Sequence, residues 1–310
     1  MTRPLARLLY LLAGLVGRLP WSWLMRLGDA IGAAWLRLNA RESRVALCNL
    51  ELAYPDMLPA QREQWRGAIL RTTGRQMMET LRLWTRPHAL NLQMLREQHG
   101  VELFDAAIAA GRGVIVAAPH HGNWELLNQW LASRTPLAIL YRPPESAIGE
   151  AFLNLVRADA RQADGSDRVT QIRAEGPAVR QLFKLLGSGG VAGILPDQQP
   201  KAGDGEFAPF FGVQALTMTL LGRLAARTGA TVLFAWCERI DTHRDGPGFA
   251  LHIEAAQPDV ANPDPVVAVA ALNAAVERIA RRDPAQYQWT YKRYTLRPPG
   301  SGEENPYWNR

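Results

Sequence analysis

Hydrophobic and polar positions divide the chain into a leucine-rich start and a longer body in which short aliphatic runs alternate with helical periodicity. The run Leu8–Gly17 is ten uncharged residues between Arg7 and Arg18, well short of the roughly 20 that a bilayer-crossing helix needs. After Pro20, the residues Leu24, Leu27, Ile31, Trp35 and Leu38 recur at helical spacing, with Arg26, Asp29 and Arg37 on the opposite side. That pattern predicts an amphipathic helix. Helical periodicity resumes over residues 58–84, is stopped by Pro87, and returns over 101–110. Four aliphatic runs follow, Val114–Ala118, Leu137–Tyr141, Val191–Leu195 and Thr231–Cys237, with helical stretches such as 177–186 and 215–227 between them. Strands alternating with helices predict an α/β fold, a mostly parallel central sheet flanked by helices and preceded by an amphipathic helical segment. Phe249–Glu254 alternates and is expected as a late edge strand, while 196–205 and 298–305 have the composition of exposed loops.

Length and composition sharpen this picture. With 310 residues, 47% of them hydrophobic, the chain can bury a full core. The expected organisation is residues 1–40 as membrane-associating helices, 41–298 as the α/β body and 299–310 as a tail. Trp21, Trp23 and Trp35 interleave with seven arginines between Arg3 and Arg44. This suits a helix lying on an anionic leaflet; the alternative is a helical hairpin packed on the protein's own core. Residues 17–21 offer a poor cleavage site, so a secretory signal is not expected. A net charge of +6 and a pI near 9.7 favour an anionic partner. Nucleic acid is not expected as that partner, because no recognition motif is present and the arginines are scattered. Cys48 and Cys237 lie far apart without metal-ligand spacing and read as packed thiols of a reducing compartment.

Functional groups of an open parallel sheet gather beyond the carboxyl ends of its strands. Four stretches fall there: Pro119–Glu125, Tyr141–Pro144, Pro196–Gln199 and Glu238–Arg239. In the first, the strand stops at Pro119, passes His120, His121 and Gly122, and restarts as a helix for which Asn123 is a suitable N-cap. Glu125 in the first helical turn can fold back towards an imidazole, and a histidine steadied by a carboxylate is a better placed general base. His121 also precedes Glu125 at helical spacing, so the two histidines can exchange roles. No serine or cysteine nucleophile is adjacent, which points to direct transfer to a bound hydroxyl without a covalent enzyme intermediate. A metal held by His120, His121, Glu125 and Asp197 would need a second ligand motif, and none supports it. Neither metal nor cofactor is expected. Glu79, in the early helix, reads as structural.

His120, four intervening residues and Glu125 resemble the His-x4-Asp/Glu signature of the lysophospholipid acyltransferase superfamily. Further blocks narrow the likeness to the late acyltransferases of lipid A biosynthesis, the lauroyl and myristoyl transferases. These are residues 44–50 with Tyr54-Pro55, Tyr141-Arg142-Pro143, Pro196-Asp197-Gln198, Pro209-Phe210-Phe211-Gly212, residues 284–289 and Arg297-Pro298. The resemblance implies transfer of a fatty acyl group from acyl carrier protein to a hydroxyl of an anionic lipid A precursor, at the cytoplasmic face of the bacterial inner membrane. It implies His120 as the base and Glu125 as its orienting partner. Arg142 would meet a substrate phosphate or the developing oxyanion, Asp197 would hold the site, and Asn123 with the helix start would offer donors to an anion. Phe210 and Phe211 would line an acyl groove. Another glycolipid or phospholipid acceptor, an acyl-thioester hydrolase and a non-catalytic lipid-binding protein are the alternatives.

Overall fold

The computed structural model describes residues 2–141, 146–157, 168–173, 176–240 and 248–308. Four helices come first, α1 (Thr2–Gly17), α2 (Trp21–Arg37), α3 (Arg41–Ala53) and α4 (Pro59–Thr85), then a short α5 (His88–Leu92). The alternating body runs β1 (Leu95–His99), α6 (Val101–Ala109), β2 (Val114–Ala117), α7 (Trp124–Arg134), β3 (Leu137–Tyr141), α8 (Ala147–Arg157), β4 (Val169–Arg173), α9 (Gly176–Gly187) and β5 (Val191–Ile194). A hairpin of β6 (Gly205–Phe210) and β7 (Val213–Met218) leads to α10 (Leu220–Thr228), β8 (Thr231–Ile240), β9 (Gly248–Ala255) and α11 (Pro265–Ala280).

The seven-stranded sheet has the order β1-β9-β8-β2-β5-β3-β4. Its five strands from β8 to β4 are mutually parallel, whereas β9 runs antiparallel to β8 and carries β1 alongside it. Phe249–Glu254, expected at an edge, is therefore interior: a neighbour pairs on each side. The expected helix over 215–227 also divides, because Val213–Met218 pairs with Gly205–Phe210 and only the remainder coils into α10.

Alternation along β2 sorts the core into two layers. Ile115 and Ala117 face Leu182 and Leu186 of α9 and Leu221 and Leu224 of α10, whereas Val114 and Val116 face Leu126, Leu127 and Leu131 of α7. Each leucine so enclosed contributes about 1.5–3 kcal/mol of transfer free energy.

The N-terminal helices attach by small residues. α2 lies along α4 so closely that a Cβ on Gly28 would come 2.6 Å from the Arg75 backbone, and one on Gly74 would come 2.2 Å from the Gly28 carbonyl. Asp29, on the polar side of the helix as expected, takes both Nε (2.6 Å) and Nη2 (3.0 Å) of Arg75. On α1 the alanines Ala6 and Ala13 are buried while Leu8, Leu11, Leu12 and Leu15 are exposed. This inverts the usual arrangement, in which a surface helix turns its leucines inward. Among the described residues no single helix is long and apolar enough to cross a membrane, and α1 and α2 meet at a bend of 111°.

Candidate active site

Topology decides where the chemistry collects. From β2 the chain crosses through α7 to β3 on one side, and from β5 it crosses through the hairpin and α10 to β8 on the other. Adjacent strands whose connections depart in opposite directions open a crevice at their carboxyl ends. His120 follows β2 into that crevice, and Asp197 follows β5.

The two residues meet through both oxygens of one carboxylate. Asp197 Oδ1 lies 2.7 Å from His120 Nδ1, and Oδ2 accepts the His120 backbone N–H at 2.9 Å. Burial opposes charge on the Asp197 carboxyl, but the charge of His120 and the hydrogen bonds from it outweigh that penalty and hold the group below the usual carboxylate range. On the far side of the ring, Gln198 Nε2 stands 3.3 Å from His120 Nε2 and donates to Gln288 Oε1 at 3.2 Å. Trp124 meets the imidazole edge-on with ring centroids 4.8 Å apart.

The turn that presents His120 is gripped from three sides. Gly122 has φ +62° and bridges to Cys237 of β8, where an added Cβ would fall 1.9 Å from the Cys237 carbonyl oxygen, so only glycine fits. A short 3-10 turn, Pro284–Gln286, and the Tyr287 bridge to His121 lie alongside: Gly122 N donates to the Gln286 carbonyl and Gln288 N to the His120 carbonyl, both at 3.0 Å. Asn49 of α3 holds that segment in turn, donating to the carbonyls of Trp289 (2.7 Å) and Tyr291 (2.8 Å). From α4, Gln76 Nε2 donates to the Gly122 carbonyl at 2.7 Å and Glu79 accepts from Asn123 Nδ2 at 3.2 Å. Glu79 also forms a two-armed ion pair with Arg239 at 2.5 and 2.8 Å, enclosed from solvent.

A family model for bacterial lipid A biosynthesis acyltransferases matches residues 5–295. The chain belongs to this family. Its relatives include the lipid A biosynthesis lauroyltransferase of Escherichia coli (strain K12), 27% identical over 289 residues, which are 92% of this chain and 90% of the relative. The palmitoleoyltransferase of the same strain is 27% identical over 287 residues, 91% of this chain and 88% of the relative. A phosphatidylinositol mannoside acyltransferase of Mycobacterium tuberculosis (strain ATCC 25618 / H37Rv) is 30% identical over 173 residues, 55% of this chain and 53% of the relative.

The expected residues of this acyltransferase fall into distinct places. His120 sits at the switch-point crevice, but the carboxylate on its Nδ1 is Asp197, where the local spacing had pointed to Glu125. Glu125 is buried in the first turn of α7 and lines a second cavity with Trp84, His88, Gln129 and Val156. Asn123 is the N-cap of α7, with Oδ1 accepting Leu126 N at 3.2 Å. Its own N–H is bonded to the Cys237 carbonyl and its amide to Glu79, so it supports the turn instead of offering donors to an anion. Phe210 and Phe211 are buried among Tyr54, Tyr287, Trp289 and Tyr294, which makes them core aromatics; Phe210 also lines the cavity beside Asp197. Arg142 lies outside the described residues. His121 does not share the role of His120: it is fully buried, with both ring nitrogens lacking a hydrogen-bond partner, and burial lowers its pKa to about 4. Pro196 and Asp197, expected at the start of an exposed loop, are buried in the site. Gln198, Gln288, Glu79 and Arg239 join the site without having been singled out for it. The signal for Gln198 and Gln288 was their place in the resemblance blocks, and for Arg239 its place just after the fourth aliphatic run, at the end of β8.

Proposed function

We propose that this acyltransferase moves a fatty acyl group from acyl carrier protein to a hydroxyl of a lipid A precursor, with His120 as general base and no acyl-enzyme. The supporting observation is the bonding of the imidazole. With Nδ1 bound to Asp197 at 2.7 Å, the proton rests on Nδ1 and the lone pair of Nε2 points to the place where Gln198 stands. An acceptor hydroxyl taking that place gives its proton to Nε2, and its oxygen attacks the thioester carbonyl. The tetrahedral intermediate then collapses, the carbon–sulfur bond breaks, and the departing thiolate takes the proton back from His120. Asp197 stabilises the imidazolium formed between the two transfers.

Glu125 has a supporting part in the same reading. Its buried carboxylate in the first turn of α7 complements the positive end of the helix that carries the His120 turn. Arg142 is assigned the substrate phosphate or the oxyanion, for which a planar fork of donors is suited. Residues 1–40 are assigned to the cytoplasmic face of the inner membrane, with the outward leucines of α1 in the leaflet and Arg3, Arg7 and Arg18 at the headgroups.

Mass spectrometry of lipid A from cells with and without the gene tests the reaction. The expected result is one acyl mass lost on deletion and restored by the wild-type chain but not by His120→Ala. Identical spectra would refute it, and so would release of free fatty acid from the donor at a rate indifferent to added acceptor. The likeness to a phosphatidylinositol mannoside acyltransferase favours a second reading, the same chemistry on another glycolipid; that reading requires the lost mass to appear on a lipid other than lipid A.

A further inference from the structure

We infer that the outer face of α9 and α10 is the dock for the acidic carrier that delivers the acyl group. This rests on the proposed donor. Arg180 and Lys184 on α9 and Arg223 and Arg227 on α10 are all exposed, each pair four residues apart and so on one helical face. The two helices pack side by side, and the Arg227 guanidinium lies 5.1 Å from the centre of the Phe183 ring of α9, which joins the two pairs into one surface. Neither helix contains an acidic residue, and among the described residues none of the four cations has an ion-pair partner. Arg134, Arg173, Arg278 and Arg281, exposed elsewhere, each pair with a carboxylate, whereas Arg26, Arg71 and Arg112, also exposed, share with these four the lack of an ion-pair partner among the described residues. Like charges at four-residue spacing weaken a helix, so this arrangement lowers stability in the isolated protein.

Position selects the partner. α9 and α10 pack on the Ile115/Ala117 side of the sheet through Leu182, Leu186, Leu221 and Leu224. The leucine face of α1 belongs to the other side: α1 packs on α4 and α8, where Leu83 of α4 and Trp21 join the layer of Val114 and Val116. The basic face is thus turned away from the surface assigned to the leaflet, and it meets a partner arriving through water. Both helices begin at the carboxyl edge of the sheet, since each returns the chain to the start of the next parallel strand, β5 or β8. Arg180 and Arg223, in the first half of their helices, lie towards the edge that holds His120. A small acidic protein seated there can pass a flexible thioester arm over that edge. Exposed charges of this kind act mainly by steering encounter and setting its salt dependence.

The test is steady-state transfer with two donors, acyl carrier protein loaded with a fatty acid and the same acyl group on pantetheine, comparing wild type with the R180E/K184E/R223E/R227E variant. The expected result is a KM for the loaded carrier raised at least about tenfold, a kcat at saturation within about twofold of wild type, and unchanged rates with acyl-pantetheine. Raising salt should increase the wild-type KM for the carrier and leave that of the variant nearly flat. If the quadruple variant does not fold, the pairs R180Q/K184Q and R223Q/R227Q carry the same comparison with smaller shifts. An unaltered KM for the carrier overturns the inference. So does weaker co-sedimentation with phosphatidylglycerol vesicles at unaltered KM, which would give this face to lipid headgroups. A wild-type enzyme that uses acyl-pantetheine but never the carrier refutes the proposed donor itself.

Discussion

Around His120 the backbone is densely hydrogen-bonded, although the buried His121 ring beside it is not: Gly122 and Asn123 bond to Cys237, Gln286, Gln76 and Glu79, and Asp197 takes both the ring and the main chain of His120. Along α1 the situation is reversed, with Ala6 and Ala13 facing the protein and Leu8, Leu11, Leu12 and Leu15 left outside. The first region lies in a low-dielectric interior, where an unmade hydrogen bond costs about 1–3 kcal/mol and one geometry wins by a wide margin. The second is held by close backbone approach and keeps its apolar area for something other than the core. Hydrogen bonding is concentrated around His120, and uncommitted apolar surface is concentrated away from it.

The contrast can be broken at either end. His120→Ala removes the proposed base and should lower kcat by about 10³-fold or more while leaving the fold intact, as read by acyl transfer together with circular dichroism. Gly122→Ala attacks the turn behind it: a Cβ 1.9 Å from the Cys237 carbonyl, at φ +62°, forces the turn to move. The expected cost is about 3–4 kcal/mol in urea unfolding, accompanied by slower transfer.

Acid should loosen the same region through His121. Burial holds its folded pKa at about 4, against 6.5 in the unfolded chain. Between those values the unfolded chain binds a proton that the folded chain refuses, so stability rises with pH across the window and is lost as pH falls through it. The full effect is about 3 kcal/mol. His252 is lowered to about 4 as well, chiefly by burial, so His121→Leu should reduce that slope in urea midpoints measured between pH 7 and 4 without abolishing it; a slope equal to wild type would exclude His121 as a source. Smallest of all, Leu11→Ser with Leu15→Ser should weaken partition into anionic vesicles about tenfold and leave the unfolding midpoint unchanged, since neither side chain is buried in the protein.

Much of the architecture could be read in the chain because β2, β3, β5 and β8 lie in the interior of the sheet and are nearly continuous aliphatic runs. The flanking strands β1 (LREQH) and β4 (VTQIR) lack such runs; as edges they bury one face at most, and their polar side chains hide them. Val213–Met218 was absorbed into a helix because its apolar residues continue without a turn signal into the helical period of α10. Within the site, His120 and the capping role of Asn123 were legible from the strand-to-helix turn. The partner of Nδ1 was not. Glu125 lies five residues from His120 in sequence and Asp197 seventy-seven, and local spacing favours the nearer acid. Only the adjacency of β2 and β5, a property of strand order, brings the distant one to 2.7 Å. Glu79, read from the sequence as structural, reaches the site through Asn123 and Arg239; Arg239 is 160 residues away, and no pattern in the sequence announces that pair.

On the proposed mechanism Asp197 keeps His120 in the tautomer that accepts a proton at Nε2, and Asp197→Asn is the sharpest probe of that pairing, because an amide preserves size while removing the charge. Purified variant protein should fold as wild type, bind both substrates with unchanged KM, and transfer the acyl group with a kcat lower by about 10³-fold or more. A wild-type kcat in that variant would contradict the account.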